Sequence, residues 1–71
     1  MKNNELGKRI KELREYKKTT QKDLAKAVGT DQTRIAKWEK GQIEPDCDTI
    51  VKVADYFNVS TDYLLGRKDF D

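Results

Sequence analysis

No histidine occurs anywhere in the 71 residues. Its absence excludes the Ser-His-Asp and Cys-His arrangements of nucleophilic catalysis, and with them the commonest metal ligand. Cys47 is the one cysteine. It cannot close an internal disulfide or supply a Cys-x-x-Cys redox or zinc pair. Such a lone thiol suits a reducing compartment, and it is expected to be inert and partly buried. Aliphatic runs stop at two residues, as at Leu64-Leu65, whereas a membrane span needs ~20. Met1-Lys2-Asn3-Asn4-Glu5 has no apolar stretch behind it and does not read as a signal peptide. No segment of useful length alternates with period two, so no strand is expected. No nucleophile with a base, no paired carboxylates and no metal cluster is visible, and so short a chain leaves little room for a pocket. The expectation is a single cytoplasmic domain that is not an enzyme and takes no cofactor or metal.

What is present is charge, and it is unevenly placed. Charged residues make up 39% of the chain and hydrophobic residues 35%, the balance of a small solvated globule with a thin core. The formal net charge of +2 hides a polarity. From Met1 to Gln42 twelve basic residues stand against six acidic ones, and from Ile43 to Asp71 three stand against seven. A basic front and an acidic back point to a polyanion at one face, or to oriented self-association. Lysines are also good helix-surface residues, so charge alone does not choose.

The hydrophobic spacing predicts five short helices. Leu6, Ile10 and Leu13 recur at i, i+4 and i+7, an amphipathic first helix. Thr20 caps a second, with Asp23 three residues on and Leu24, Ala25 and Val28 inside; Gly29 ends it. Asp31 caps a third, Gln32 to about Lys40, with Ile35, Trp38 and Glu39 inward, and Gly41 closes it. Gln42 to Pro45 is a loop, because Glu44 precedes proline. Asp46 caps a fourth, with Ile50, Val53, Ala54 and Phe57 inside and Asn58 as a left-handed stop. Ser60 opens a last turn, Thr61 to Leu65, closed by Gly66. Trp38, Tyr56 and Phe57 read as core rather than as a stacking platform for single strands. The domain is residues 1–66, and 67–71 reads as a frayed tail.

Only Gly29-Thr30-Asp31 separates the second and third helices, so the two must cross at a sharp angle. Alanine at 25, glycine at 29 and a branched apolar residue at 35 suit that crossing, although an ordinary helical hairpin could carry them too. On the third helix, Thr33, Ala36, Lys37 and Lys40 fall opposite the inward residues at about 100° per residue. Gln32 and Thr33 lie in its first turn, where a helix entering the major groove meets base edges. Gln32 can pair with adenine, the Thr33 and Ala36 methyls can touch thymine methyls, and Lys37 can reach guanine or a phosphate. Gln21, at the start of the second helix, suits a phosphate oxygen, with a plain helix-start role as the alternative. Lys40 and Gln42, with the backbone N–H groups around Gly41, could clamp the DNA backbone or be solvated, and Arg34, between the two faces, could reach a flanking phosphate or stay in solvent. Glu39 sits among apolar residues and needs a cation, which Arg14 can supply as a structural ion pair.

The run from Gln21 to Gly41, with Leu6-Gly7-x-x-Ile10-x-x-Leu13-Arg14 before it and Asn58-Val59-Ser60-x-Asp62-Tyr63-Leu64-Leu65-Gly66 after it, resembles the lambda-repressor-like domains of the Cro/repressor (Xre) type. The resemblance covers nearly the whole chain. It implies a compact all-α, five-helix fold with a helix-turn-helix at helices two and three, and a sequence-specific regulator of phage or mobile-element type. Residues matching Gln32, Thr33 and Lys37 usually read bases. Those matching Gln21 and the Lys40-Gly41-Gln42 corner hold phosphates, and those matching Arg14 and Glu39 form the ion pair. The partner implied is a double-stranded DNA operator bound by a homodimer, with Tyr63, Leu64 and Phe70 in the dimer contact and no small-molecule ligand. Thr19 departs from the pattern, which mostly has an apolar residue there. A protein-binding member of the same fold, an antitoxin or adaptor using the acidic half, is the alternative.

Overall fold

The computed structural model describes residues 5–69. They form five helices: α1 Glu5–Tyr16, α2 Gln21–Val28, α3 Gln32–Glu39, α4 Cys47–Phe57 and α5 Thr61–Leu64. No strand occurs among the described residues. The starts follow from capping chemistry. The side chains of Thr20, Asp31, Asp46 and Ser60 each accept the N–H three residues on, from Asp23, Arg34, Thr49 and Tyr63. Each cap satisfies a donor that a helix start otherwise leaves unpaired. Two boundaries are shorter than the periodicity suggests: α3 ends at Glu39 with Lys40 as its cap residue, and α5 ends at Leu64.

The Asp46 cap has a pH signature. The Thr49 hydroxyl first, and its backbone N–H second, hold the Asp46 carboxyl below the usual carboxylate range. A carboxylate whose folded pKa is lowered adds stability above its unfolded pKa and loses it as pH falls through the folded value. Acidification should therefore weaken α4, and Asp46→Asn, which still caps, should flatten that part of the acid limb. A series of thermal melts across the acid range checks this; identical slopes in the two proteins would refute it.

The helices close around one core of Leu6, Ile10, Leu24, Ala25, Val28, Ile35, Trp38, Val53, Ala54, Phe57 and Leu64. Each large side chain among them contributes about 1.5–3 kcal/mol by leaving water. α1 packs on α3 and α5, α2 on α3 and α4, and α4 on α5. α3 is therefore gripped on one side by α1 and on the other by α2. The grip is closest at Gly7, which is buried. A Cβ there would land on the Trp38 carbonyl oxygen, with the Trp38 carbonyl carbon at 3.0 Å and Glu39 Cα at 3.1 Å. Only a residue without a side chain lets the two backbones approach this far. Gly29, at φ 78, turns the chain from α2 towards α3.

Four expectations are corrected. Cys47 is exposed rather than partly buried; it is the first residue of α4, a full turn and more ahead of that helix's buried residues Val53, Ala54 and Phe57. Tyr56 is 45% exposed and lies edge-on to the Phe57 ring, at 5.1 Å between centroids. Leu64 has no exposed surface; it is a core residue and is closed to any partner. Residues 67–69 do not fray from the domain. Arg9 Nη1 donates to the Lys68 carbonyl at 2.7 Å and to the Tyr63 carbonyl at 3.2 Å, while its guanidinium lies 4.4 Å from the Tyr63 ring centre. Phe70 lies outside the described residues.

Candidate nucleic-acid interface

α3 has two faces that share no role. Ile35 is fully buried and Trp38 nearly so. Gln32, Thr33, Lys37 and Lys40 are exposed, and Ala36 lies half-buried at the edge of the outward stripe. The Asp31 cap fixes the first turn, so the outward stripe begins on a defined backbone. Arg34 lies off the stripe, exposed, with its Nε 3.9 Å from Asp31 Oδ2. An ion pair that long and that wet contributes little, which leaves Arg34 free to reach elsewhere.

The roll of α3 is set by Glu39. Its side chain is 5% exposed, and both carboxylate oxygens are engaged. Arg14 Nε donates to Oε2 at 2.7 Å and Arg14 Nη2 to Oε1 at 3.1 Å. The remaining guanidinium nitrogen, Nη1, donates to the Thr19 carbonyl at 3.1 Å. The hydrogen bonds to Glu39, chiefly, push the Arg14 pKa above the ordinary arginine value against the opposing effect of burial. The two-pronged geometry fixes direction as well as distance, because the guanidinium fork matches a carboxylate edge. Thr19, which departs from the apolar pattern, is half-buried; its backbone carbonyl accepts from Arg14, as that of any residue could, and its hydroxyl donates to the Lys17 carbonyl at 3.4 Å.

Gln21 belongs to the same network, a connection that sequence reasoning missed. Its Nε2 donates to Glu39 Oε1 at 3.0 Å, and its Oε1 accepts from Gln32 Nε2 at 3.4 Å. Arg14, Glu39, Gln21 and Gln32 thus run from the interior to the outward edge of α3 as one chain of polar contacts. The bonds from Arg14 to Glu39 and from Gln21 to Glu39 are short and partly buried, and the one from Gln32 to Gln21 is long and exposed. One amide proton of Gln21 is committed, and no other described residue takes the second.

The Lys40-Gly41-Gln42 corner differs from its expectation. The backbone N–H groups of these residues are spent closing α3, on the carbonyls of Ala36, Trp38 and Lys37 at 3.1, 3.0 and 2.9 Å. They are unavailable to a phosphate, so only the exposed side chains of Lys40 and Gln42 can serve there. Tyr63 is half-buried under Arg9. No cluster of metal-ligating side chains occurs among the described residues, and none of their helices is long and apolar enough to cross a membrane.

A short crossing of two helices, with the second carrying a polar stripe outward, defines the helix-turn-helix class, and the chain belongs to that family: the helix-turn-helix domain model matches residues 7–69. Its relatives include the HTH-type transcriptional regulator ImmR of Bacillus subtilis (strain 168), 41% identical over 64 residues, which are 90% of this chain and 50% of that protein. Repressor protein C2 of Salmonella phage P22 is 33% identical over 60 residues, 84% of this chain and 28% of that protein. The chain spans about half the length, or less, of the curated relatives it matches. Among solved structures, the P22 c2 repressor in complex with a synthetic operator superposes with a TM-score of 0.80 at 32% identity, covering 83% of this chain and 89% of that one. The fold is all-α and of the lambda-repressor-like kind.

Proposed function

We propose that this chain binds double-stranded DNA at a defined sequence and regulates transcription as a repressor, by occupying an operator. The observation that carries the reading is the division of α3. Ile35, Trp38 and the Arg14-anchored Glu39 hold one side, leaving Gln32, Thr33 and Lys37 outward with half-buried Ala36 at the edge of the stripe. A helix so mounted can enter the major groove with its first turn against base edges. Gln32 and Thr33 read bases there, and Lys37 reaches guanine or a phosphate beyond them. Gln21, Lys40, Gln42 and Arg34 hold the DNA backbone, and the surplus of basic residues up to Gln42 supplies salt-sensitive attraction. The regulator and repressor names of the relatives, and the operator bound to the P22 c2 repressor, support the same reading. Two copies on half-sites ~34 Å apart would match the spacing of one helical turn.

Selection of bound duplexes from a random pool tests this, and a palindromic motif is the expected result. On the selected duplex, Gln32→Ala should cost roughly 1–3 kcal/mol and relax discrimination at one base position, whereas Lys40→Ala should weaken every sequence alike and flatten the salt slope. If both variants behaved identically on selected and random DNA, the division into reading and holding residues would be wrong. If no sequence were enriched, the function itself would be.

A further inference from the structure

All five helices end in the same way, with a residue of positive φ closing the last turn: Lys18, Gly29, Gly41, Asn58 and Gly66. After α1, the Thr19 N–H donates to the Arg14 carbonyl at 2.8 Å and the Lys18 N–H to the Glu15 carbonyl at 3.1 Å. These are the paired bonds of the turn that places its penultimate residue in the left-handed region. Three of the five positions use glycine, which has no Cβ to crowd there, and one uses asparagine, the side chain that tolerates the region best. Lys18, at φ 55, is the exception. Its backbone conformation disfavours any long side chain, so the lysine weakens the fold relative to glycine at that position.

Nothing inside the domain accounts for that choice. Lys18 is exposed, and no described residue pairs with its ammonium. Its place in the chain, however, is specific. The next residue, Thr19, receives Arg14; Thr20 caps α2; and Gln21 reaches both Glu39 and Gln32. Lys18 therefore stands in the turn that leads into α2, three residues before Gln21, whose side chain reaches the first turn of α3, and exposed Lys22 follows in the first turn of α2. A compact cation on a flexible stem, outside the groove-facing stripe, suits a charged backbone and not a base edge.

We infer that Lys18 is a phosphate-contacting residue, holding the DNA strand that flanks the first turn of α3. The inference rests on the DNA-binding reading above and extends its contact surface onto the α1–α2 turn. The test compares Lys18→Gly, Lys18→Asn and Lys18→Arg on the selected duplex and on a random one, across a salt series. One lost phosphate contact lowers the salt slope by about 0.9, which is roughly a five- to tenfold loss of affinity near 0.1 M salt, fading towards 1 M. Lys18→Gly and Lys18→Asn should show that loss on both duplexes alike, while Lys18→Arg keeps wild-type binding. Lys18→Gly should also melt at or above the wild-type temperature, which separates lost contact from lost fold. An unchanged slope and affinity in Lys18→Gly, with Gln32→Ala still losing discrimination, would overturn this inference alone. Absence of duplex binding by the wild type would overturn the DNA-binding reading with it.

Discussion

Gly7→Ala should remove more than half of the domain's stability. The added methyl would occupy the position of the Trp38 carbonyl oxygen, and its next neighbours, the Trp38 carbonyl carbon at 3.0 Å and Glu39 Cα at 3.1 Å, are backbone as well. No side chain can rotate aside to make room. Relief requires α1 to withdraw from α3, which opens the contact that Leu6 and Ile10 share with Ile35 and Trp38 in the core. Overpacking that side chains can absorb costs 1–3 kcal/mol, and a backbone collision lies at or beyond the top of that range. Against a total of roughly 5 kcal/mol for so small a domain, about 3 kcal/mol is decisive. Gly29→Ala is the informative contrast: its Cβ would meet nothing within 4 Å, so only the positive φ is penalised, by about 1–2 kcal/mol. Urea unfolding followed by circular dichroism ranks the two, and a Gly7→Ala midpoint equal to wild type would mean that the helices are not this close.

The second large effect is at Arg14. Arg14→Met strands a carboxylate whose side chain is 5% exposed, with the Gln21 amide as its remaining donor. Removing one member of a buried pair costs about 3–5 kcal/mol, chiefly because the other charge is left without compensation. Adding Glu39→Leu removes the stranded charge, and the double variant should recover much of the lost stability. It should not recover sequence discrimination, since the ion pair that sets the roll of α3 and the short Glu39 bond to Gln21 are then both gone. Unfolding midpoints and duplex selection on the single and double variants separate the two effects; a double variant that discriminated normally would show that Glu39 does not aim the helix. The pair is insensitive to base. The Arg14 pKa is raised, so its contribution is complete below the unfolded value and is lost only as pH rises through the higher folded one. That is above any pH at which the domain is handled.

Local chemistry made much of the fold legible in advance. Thr20, Asp31, Asp46 and Ser60 are cap residues by type, and Gly29, Gly41, Asn58 and Gly66 are residues that accept a positive φ; each performs that role. The inward and outward sets of α3 follow from a single angle per residue. The need for a cation beside Glu39 follows from desolvation, and Arg14 stands there. What could not be read depends on contacts between elements. Gly7 lies within an amphipathic stripe, and only the position of α3 shows why it has no side chain. The double engagement of Gln21 depends on where α3 begins relative to α2. Leu64 and Tyr63 are adjacent, yet one is sealed and the other half-covered by Arg9, a difference set by α1. Lys18 offered no signal, since lysine is not a residue that announces a left-handed turn.

Within α3, the residues that hold the helix and those that meet its surroundings are almost disjoint, with Gln32 alone touching both sets. Rewriting the exposed Thr33 and Lys37 would therefore change the message while leaving the mounting untouched, so a library randomised at those two positions should return variants that keep the parent's stability and answer to new targets. The domain is built like a stamp whose lettering can be recut without remaking the handle.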